Sequence, residues 1–156
     1  MSRQNSELSD LDRKILRVLQ SEANLPLDQI AAKVGASRTA VWNRIKKFEA
    51  SGLIIRYQTL LDPELAGLGQ TFFVMVSTNQ HDKSWLERFS AAIKDMPEIV
   101  EAHRLAGDID YILKVQVATA RDYDQFYRRL IERIELYKVT SQLSMETLKT
   151  SAPLPL

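Results

Sequence analysis

Between Ser37 and Lys47 the chain concentrates side chains that could read a nucleic acid: Ser37, Arg38, Thr39, Trp42, Asn43, Arg44, Lys46 and Lys47. An arginine fork pairs with guanine, and an asparagine amide with adenine, in the major groove. Arg38 and Asn43 are therefore the expected base readers. Arg44, Lys46 and Lys47 are expected to meet phosphates, whose neutralisation supplies much of the affinity of such complexes. Ser37, Arg38 and Thr39 would occupy the first turn of a helix, the part that usually reaches base edges. Trp42 has two readings: it stacks along the groove wall, or it packs against the first helix. Taken singly, each of these residues is an ordinary solvated helix residue. As a group on one helix they favour DNA.

A second polar constellation is Gly107-Asp108-Ile109-Asp110, preceded by Leu105-Ala106. Glycine permits positive φ, so a loop here can present backbone N–H groups to a carboxylate, and a nearby aspartate can accept from an ammonium. Together these suit an amino acid zwitterion. The alternative is a plain Asp-Gly hairpin turn with solvated carboxylates. A metal reading of Asp108 and Asp110 is weaker, because a hard cation needs further oxygen ligands.

Other chemistry has little support. Cysteine is absent, which removes disulfides and thiolate catalysis and fits a cytoplasmic protein. The two histidines are far apart: His81 reads as solvated, and His103 lies in a strand, either at the surface or lining a cleft. No HExxH, GxSxG, P-loop or glycine-rich dinucleotide motif occurs. Neither catalysis, nor a metal, nor a cofactor is expected. The longest apolar runs, such as Phe72–Val76, are too short to span a membrane, and the first seven residues lack an apolar leader.

Charge divides the chain. Residues 1–57 carry ten Lys/Arg against six Asp/Glu, a net +4, while residues 58–156 carry eleven against fourteen, a net −3. The overall +1 thus conceals a basic module followed by an acidic one.

The elements that must position these residues follow from spacing. Ser9-Asp10-Leu11-Asp12 is a capping box, and Leu11, Ile15, Val18 and Leu19 recur at helical spacing, predicting a first helix that ends near Gln20. Pro26 suits the first turn of a second helix, with Leu27, Ile30, Ala31 and Val34 as its apolar stripe and Gly35 as its left-handed cap. Ser37 then caps a third helix that buries Val41, Ile45 and Phe48 and stops at Gly52. Two helices joined by a tight glycine turn, after a first helix, make a helix-turn-helix.

Leu53–Leu61 reads as an extended connector, and Asp62-Pro63-Glu64 opens a turn or short helix. The pattern then becomes strand 71–78, helix around Trp85–Met96, strand 99–105, strand 110–117, helix around Tyr123–Ile134 and strand 139–148. The order βαββαβ is the ferredoxin-like split βαβ fold. The fold class is therefore α+β, a winged or three-helix helix-turn-helix followed by a βαββαβ domain. The expected boundaries are 1–57, a connector 58–69, a second domain 70–150 and an extended tail 151–156. Phe72, Val74 and Val76 alternate with Phe73 and Met75, so both faces of the first strand are apolar. Helices can cover only one face, which argues for a homodimer through the sheets.

Over nearly its whole length the chain resembles the Lrp/AsnC family of feast/famine transcriptional regulators. The carrying residues are Leu11-Asp12 with Ile15-Leu16, Ile30-Ala31 with Val34-Gly35-Ala36-Ser37, Arg44-Ile45-Lys46 with Phe48-Glu49, Gly52-Leu53-Ile54, and Gly107-Asp108-Ile109-Asp110-Tyr111. The resemblance implies that the first module binds double-stranded DNA. The second, called the RAM domain, would dimerise through its sheet and bind a small effector, often an amino acid, between dimers that assemble further into octamers. It also implies that the end of the final strand reaches the Leu105–Asp110 loop from a neighbouring chain, adding Gln142, Leu143 and Ser144 to the site. Leu143 would favour an apolar or sulfur-containing amino acid. The proline often found in this family near Thr39 and Ala40 is missing. An architectural, nucleoid-type DNA binder without effector stays open at this point. So does an enzyme or enzyme-regulatory subunit built on the βαββαβ half, though it leaves the basic helix unexplained.

Overall fold

The computed structural model describes residues 7–156; Met1–Ser6, most of the stretch read above as lacking an apolar leader, lies outside the described residues. The chain forms two compact units, Met1–Thr59 with Lys149–Leu156, and Leu60–Leu148.

In the first unit, Ser9 caps α1 (Asp10–Ser21). Its hydroxyl accepts the Asp12 N–H at 3.2 Å, and Asp12 Oδ2 accepts the Ser9 N–H at 2.9 Å, which is the reciprocal box expected from the sequence. Pro26 precedes α2 (Leu27–Val34), and its carbonyl accepts the N–H groups of Gln29 and Ile30. Gly35 ends α2 at φ 68°. A side chain there would meet nothing within 4 Å, so only the left-handed backbone demands glycine. Ser37 caps α3 (Arg38–Ser51) by accepting the Ala40 N–H at 3.2 Å. Each helix gives three residues to one core: Ile15, Leu16 and Leu19; Ile30, Ala31 and Val34; Val41, Ile45 and Phe48. Ala31 is small where α2 meets its neighbours, so the turn can be tight. Leu53–Leu61 is neither helix nor strand.

The second unit is a four-stranded antiparallel sheet in the order β2-β3-β1-β4, from β1 (Gln70–Ser77), β2 (Ile99–Arg104), β3 (Tyr111–Val117) and β4 (Lys138–Leu143). Helices α4 (Lys83–Lys94) and α5 (Ala120–Arg133) pack on one face. Alternation decides which residues face them: Phe72, Val74 and Val76 from β1 and Tyr111, Leu113, Val115 and Val117 from β3 are buried with Trp85, Phe89, Phe126 and Leu130. Trp85 stacks on Phe89 with ring centroids 5.0 Å apart. On α5, Phe126 is fully buried and Tyr127 packs partly buried against the same cluster. Phe73, Met75 and Ile112 lie on the opposite face and are only half-buried.

The final strand is shorter than its sequence suggests. The expected strand runs to Leu148, but pairing with β1 ends where Leu143 faces Phe72 and the Ser144 N–H reaches Thr71 O at 2.8 Å. β1 itself begins at Gln70, which the register sets level with Met145, so residues 146–148 have no ladder to join. Among the described residues no helix is long and apolar enough to cross a membrane.

Candidate nucleic-acid interface and effector loop

With Val41, Ile45 and Phe48 turned into the core, the opposite side of α3 is open to solvent. Ser37, Arg38, Thr39, Trp42, Asn43, Lys46 and Lys47 are all exposed. Arg38 touches Asp28 at 3.3 Å across the turn, an exposed pair that a phosphate or base can displace at little cost. Asn43 and Lys47 have no hydrogen-bond or ion-pair partner among the described residues. Trp42 is 48% exposed and stands outside the buried three-helix cluster, and Lys46 Nζ sits 4.5 Å from its ring centroid. Lys46 also donates to Glu49 Oε2 at 2.8 Å, while Tyr57 donates to Glu49 Oε1 at 3.1 Å. The Lys46 ammonium beside it is the main reason the Glu49 carboxyl titrates below its ordinary range; burial and the Glu49 hydrogen bond raise the Tyr57 phenol.

Arg44 is elsewhere. Its guanidinium donates to Asp12 Oδ1 at 2.5 Å and reaches Ser9 Oγ at 3.3 Å, so it ties α3 to the start of α1. Burial pushes the Asp12 carboxyl up, but donors from Ser9 and Arg44, with the Arg44 charge, outweigh it and hold the group low. The residue expected at a phosphate is thus already paired within its own unit, with its side chain 37% exposed. Helical spacing alone could not separate the two roles, because Arg44 lies on the flank between the buried and exposed sides.

At the other candidate site, Leu105–Asp110 connects β2 to β3. Gly107 takes φ 153°, a backbone that L side chains rarely adopt. The loop spends much of its polarity on itself. The Leu105 N–H donates to Asp110 O at 2.7 Å, the Asp110 N–H to Val76 O at 3.1 Å, and the Thr78 N–H to Asp110 Oδ2 at 2.8 Å. Asp110 Oδ1 faces His81 Nδ1 at 3.9 Å. A cleft of about 230 Å³ lies alongside, lined by Gln80, His81, Asp82, Lys83, Arg104, Asp110 and Tyr111 among others. Of these only Asp110 was singled out from sequence. Antiparallel pairing of the first and third strands, implicit in βαββαβ order, carries residues 78–83 to the loop and was the available signal. His103 lies on the open sheet face, 3.6 Å from Glu101, away from this cleft.

Gln142, Leu143 and Ser144 are not brought to the loop within one chain. Asp110 bonds to Val76, whereas Ser144 bonds to Thr71. Five residues of β1, about 17 Å, separate those two levels of the sheet. Strand alternation further divides the trio. Leu143 pairs with core-facing Phe72, and Gln142 pairs with Phe73 on the open face.

A capped helix-turn-helix followed by a split βαβ sheet defines a two-unit regulator architecture, and comparison with known proteins agrees. Residues 8–55 match the winged helix-turn-helix DNA-binding model, and residues 71–154 match the Lrp/AsnC ligand binding domain. The chain is 45% identical over 150 residues to the glutamate uptake regulatory protein of Zymomonas mobilis, covering 96% of this chain and 92% of that one. It is 41% identical to the DNA-binding transcriptional activator DecR of Escherichia coli, covering 96% and 99%. Among solved structures, an AsnC family transcriptional regulator from Agrobacterium tumefaciens superposes with a TM-score of 0.90 at 44% identity, covering 94% of this chain and 96% of that one. A transcriptional regulator from Neisseria meningitidis, in complex with L-methionine, gives 0.90 at 28% identity, covering 96% and 97%. The chain belongs to the Lrp/AsnC family, whose members are DNA-binding transcriptional regulators rather than enzymes.

Proposed function

We propose that the chain is a sequence-specific transcriptional regulator whose DNA affinity and assembly respond to an amino acid. The observation that carries the DNA half is the exposed side of α3. It offers Arg38 and Asn43 as base readers, Lys46 and Lys47 as phosphate contacts, Ser37 and Thr39 at the first turn, and Trp42 along the groove wall. Arg44 is left out of this set, because Asp12 already holds it.

The effector half rests on Leu105, Gly107, Asp108 and Asp110, with the adjoining cleft residues His81, Lys83 and Arg104. Loop N–H groups, Arg104 and Lys83 suit a carboxylate; Asp110 Oδ1 suits an ammonium. Relatives support an amino acid, since a family structure holds L-methionine. Gln142 and Ser144 can complete the pocket only from a second copy, because in one chain they lie at the far level of the sheet. That separation supports a homodimer assembling further, as does the half-buried apolar patch of Phe73, Met75 and Ile112 on the open sheet face.

Selection of genomic fragments by the purified protein, then titration of the recovered fragment with and without an equimolar mixture of the protein amino acids, tests both halves. The expected result is a preferred sequence whose affinity shifts with the mixture. No preference over mixed DNA sinks the sequence-specific reading. A preference unmoved by millimolar amino acids leaves an effector-free, architectural binder.

A further inference from the structure

The sequence suggests an extended tail after the last strand, yet Lys149–Leu156 belongs to the helix-turn-helix unit. Its backbone is bound by the exposed side of α1. Gln20 grips one residue from both sides: Oε1 accepts the Leu154 N–H at 2.6 Å, and Nε2 donates to Leu154 O at 3.3 Å. Arg17 donates to Leu156 O through Nε at 2.6 Å and again through Nη2. The Leu156 side chain packs against the buried cluster of the three helices. Pro153 and Pro155 flank Leu154, so the segment is stiff before it docks and loses little entropy on docking. The segment turns at Pro155, where the Leu156 N–H donates to Leu154 O at 2.9 Å, so an amide, a guanidinium and one apolar anchor together hold a turned backbone.

We propose that Arg17 and Gln20 form a docking site on α1 whose occupant is this chain's own Leu154–Leu156, and that docking relays the ligand state of the sheet unit to the recognition helix. Two placements support the relay. The ladder of β4 ends at Leu143, and the ten residues 144–153, of which those from Lys149 on already cluster with the helix-turn-helix unit, lead from it to the docked Leu154–Leu156. α1 in turn holds α3 through Asp12 and Arg44. A ligand that restrains the end of β4 therefore acts on a strap anchored one helix away from the DNA-reading surface. The relay rests on the effector reading above, whereas the docking does not.

Amide hydrogen exchange on the full chain tests the docking, comparing wild type with the Arg17→Ala/Gln20→Ala variant. Both side chains are exposed, so the helices should persist. The Leu154 amide should be protected in wild type, and the variant should lose that protection by about tenfold or more while β1 and β3 stay unchanged. A freely exchanging Leu154 amide in wild type, or protection that survives the double substitution, overturns the docking. Protection that grows with protein concentration overturns it too, by showing that a second copy's segment is the occupant. For the relay, the variant should bind the genomic fragment within about twofold of wild type but lose the affinity shift caused by the amino acid mixture. A full shift in the variant overturns the relay. No shift in wild type removes the relay together with the effector reading and leaves the docking result standing.

Discussion

The recognition helix and the β2–β3 loop are both short polar surfaces, and they are finished in opposite ways. α3 turns its apolar side into a nine-residue core and leaves Asn43 and Lys47 without partners among the described residues, so its donors are aimed outward in a single chain. The loop closes on itself: Asp110 accepts from Leu105 and Thr78 and donates to Val76. What it leaves without a hydrogen bond among the described residues includes Asp110 Oδ1 and the Asp108 carboxylate, beside a positive-φ glycine and a cleft. The difference teaches that a rigid duplex can be read by a preformed surface, while a small ligand needs enclosure that one chain's loop does not supply.

The largest expected effect breaks the first surface from beneath. Ile45→Ala should cost the helix-turn-helix unit about 2–5 kcal/mol and abolish DNA binding, seen as early melting of α1–α3 by amide exchange with β1–β4 protection retained. If both units melt together, they are not the separate structures the comparison assumes.

Next, Arg38→Ala and Asn43→Ala should each cost about 1–3 kcal/mol at the selected sequence and little on mixed DNA, measured by fluorescence anisotropy. Equal losses on both would make these residues phosphate contacts rather than readers.

Arg44→Met should act on folding instead, destabilising the first unit by about 1–3 kcal/mol by leaving Asp12 without its cation. Wild type carries an acid dependence from the same pair. A carboxyl held below its usual 3.8 binds fewer protons folded than unfolded, so its contribution is present above about pH 4 and is lost as pH falls through the lowered value. Chemical denaturation across that range should show the dependence in wild type and a smaller one in Arg44→Met.

Lys47→Ala should weaken all sequences alike and lower the salt slope of binding by about one unit. The smallest expected change in basal behaviour is that of Asp110→Asn. The amide oxygen can still accept the Thr78 N–H, so stability and basal DNA affinity should stay within about 0.5 kcal/mol of wild type. The response to amino acids should nevertheless vanish in the same titration. A normal response would return the loop to a plain hairpin turn.

Much of this was legible in local spacing. The Ser9–Asp12 box, the Gly35 cap, the Val41/Ile45/Phe48 side of α3 and the βαββαβ succession of elements are set by periods of 3.6 and 2 and by backbone φ, which neighbouring residues decide. What long-range packing decides was not legible. Arg44 reads like its neighbours Lys46 and Lys47, and only the arrival of α1 turns it into the partner of Asp12. The expected fourth strand runs to Leu148, but a strand lasts only as long as its partner, and β1 starts at Gln70. His81 and Lys83 join Asp110 because antiparallel strands bring distant residues level. Sequence alone therefore determined the elements, their order, the family and the outward side of the recognition helix. Tertiary structure alone decided which charges are spent inside the fold, because a side chain's partner across 32 residues is set by how helices pack and not by its own spacing.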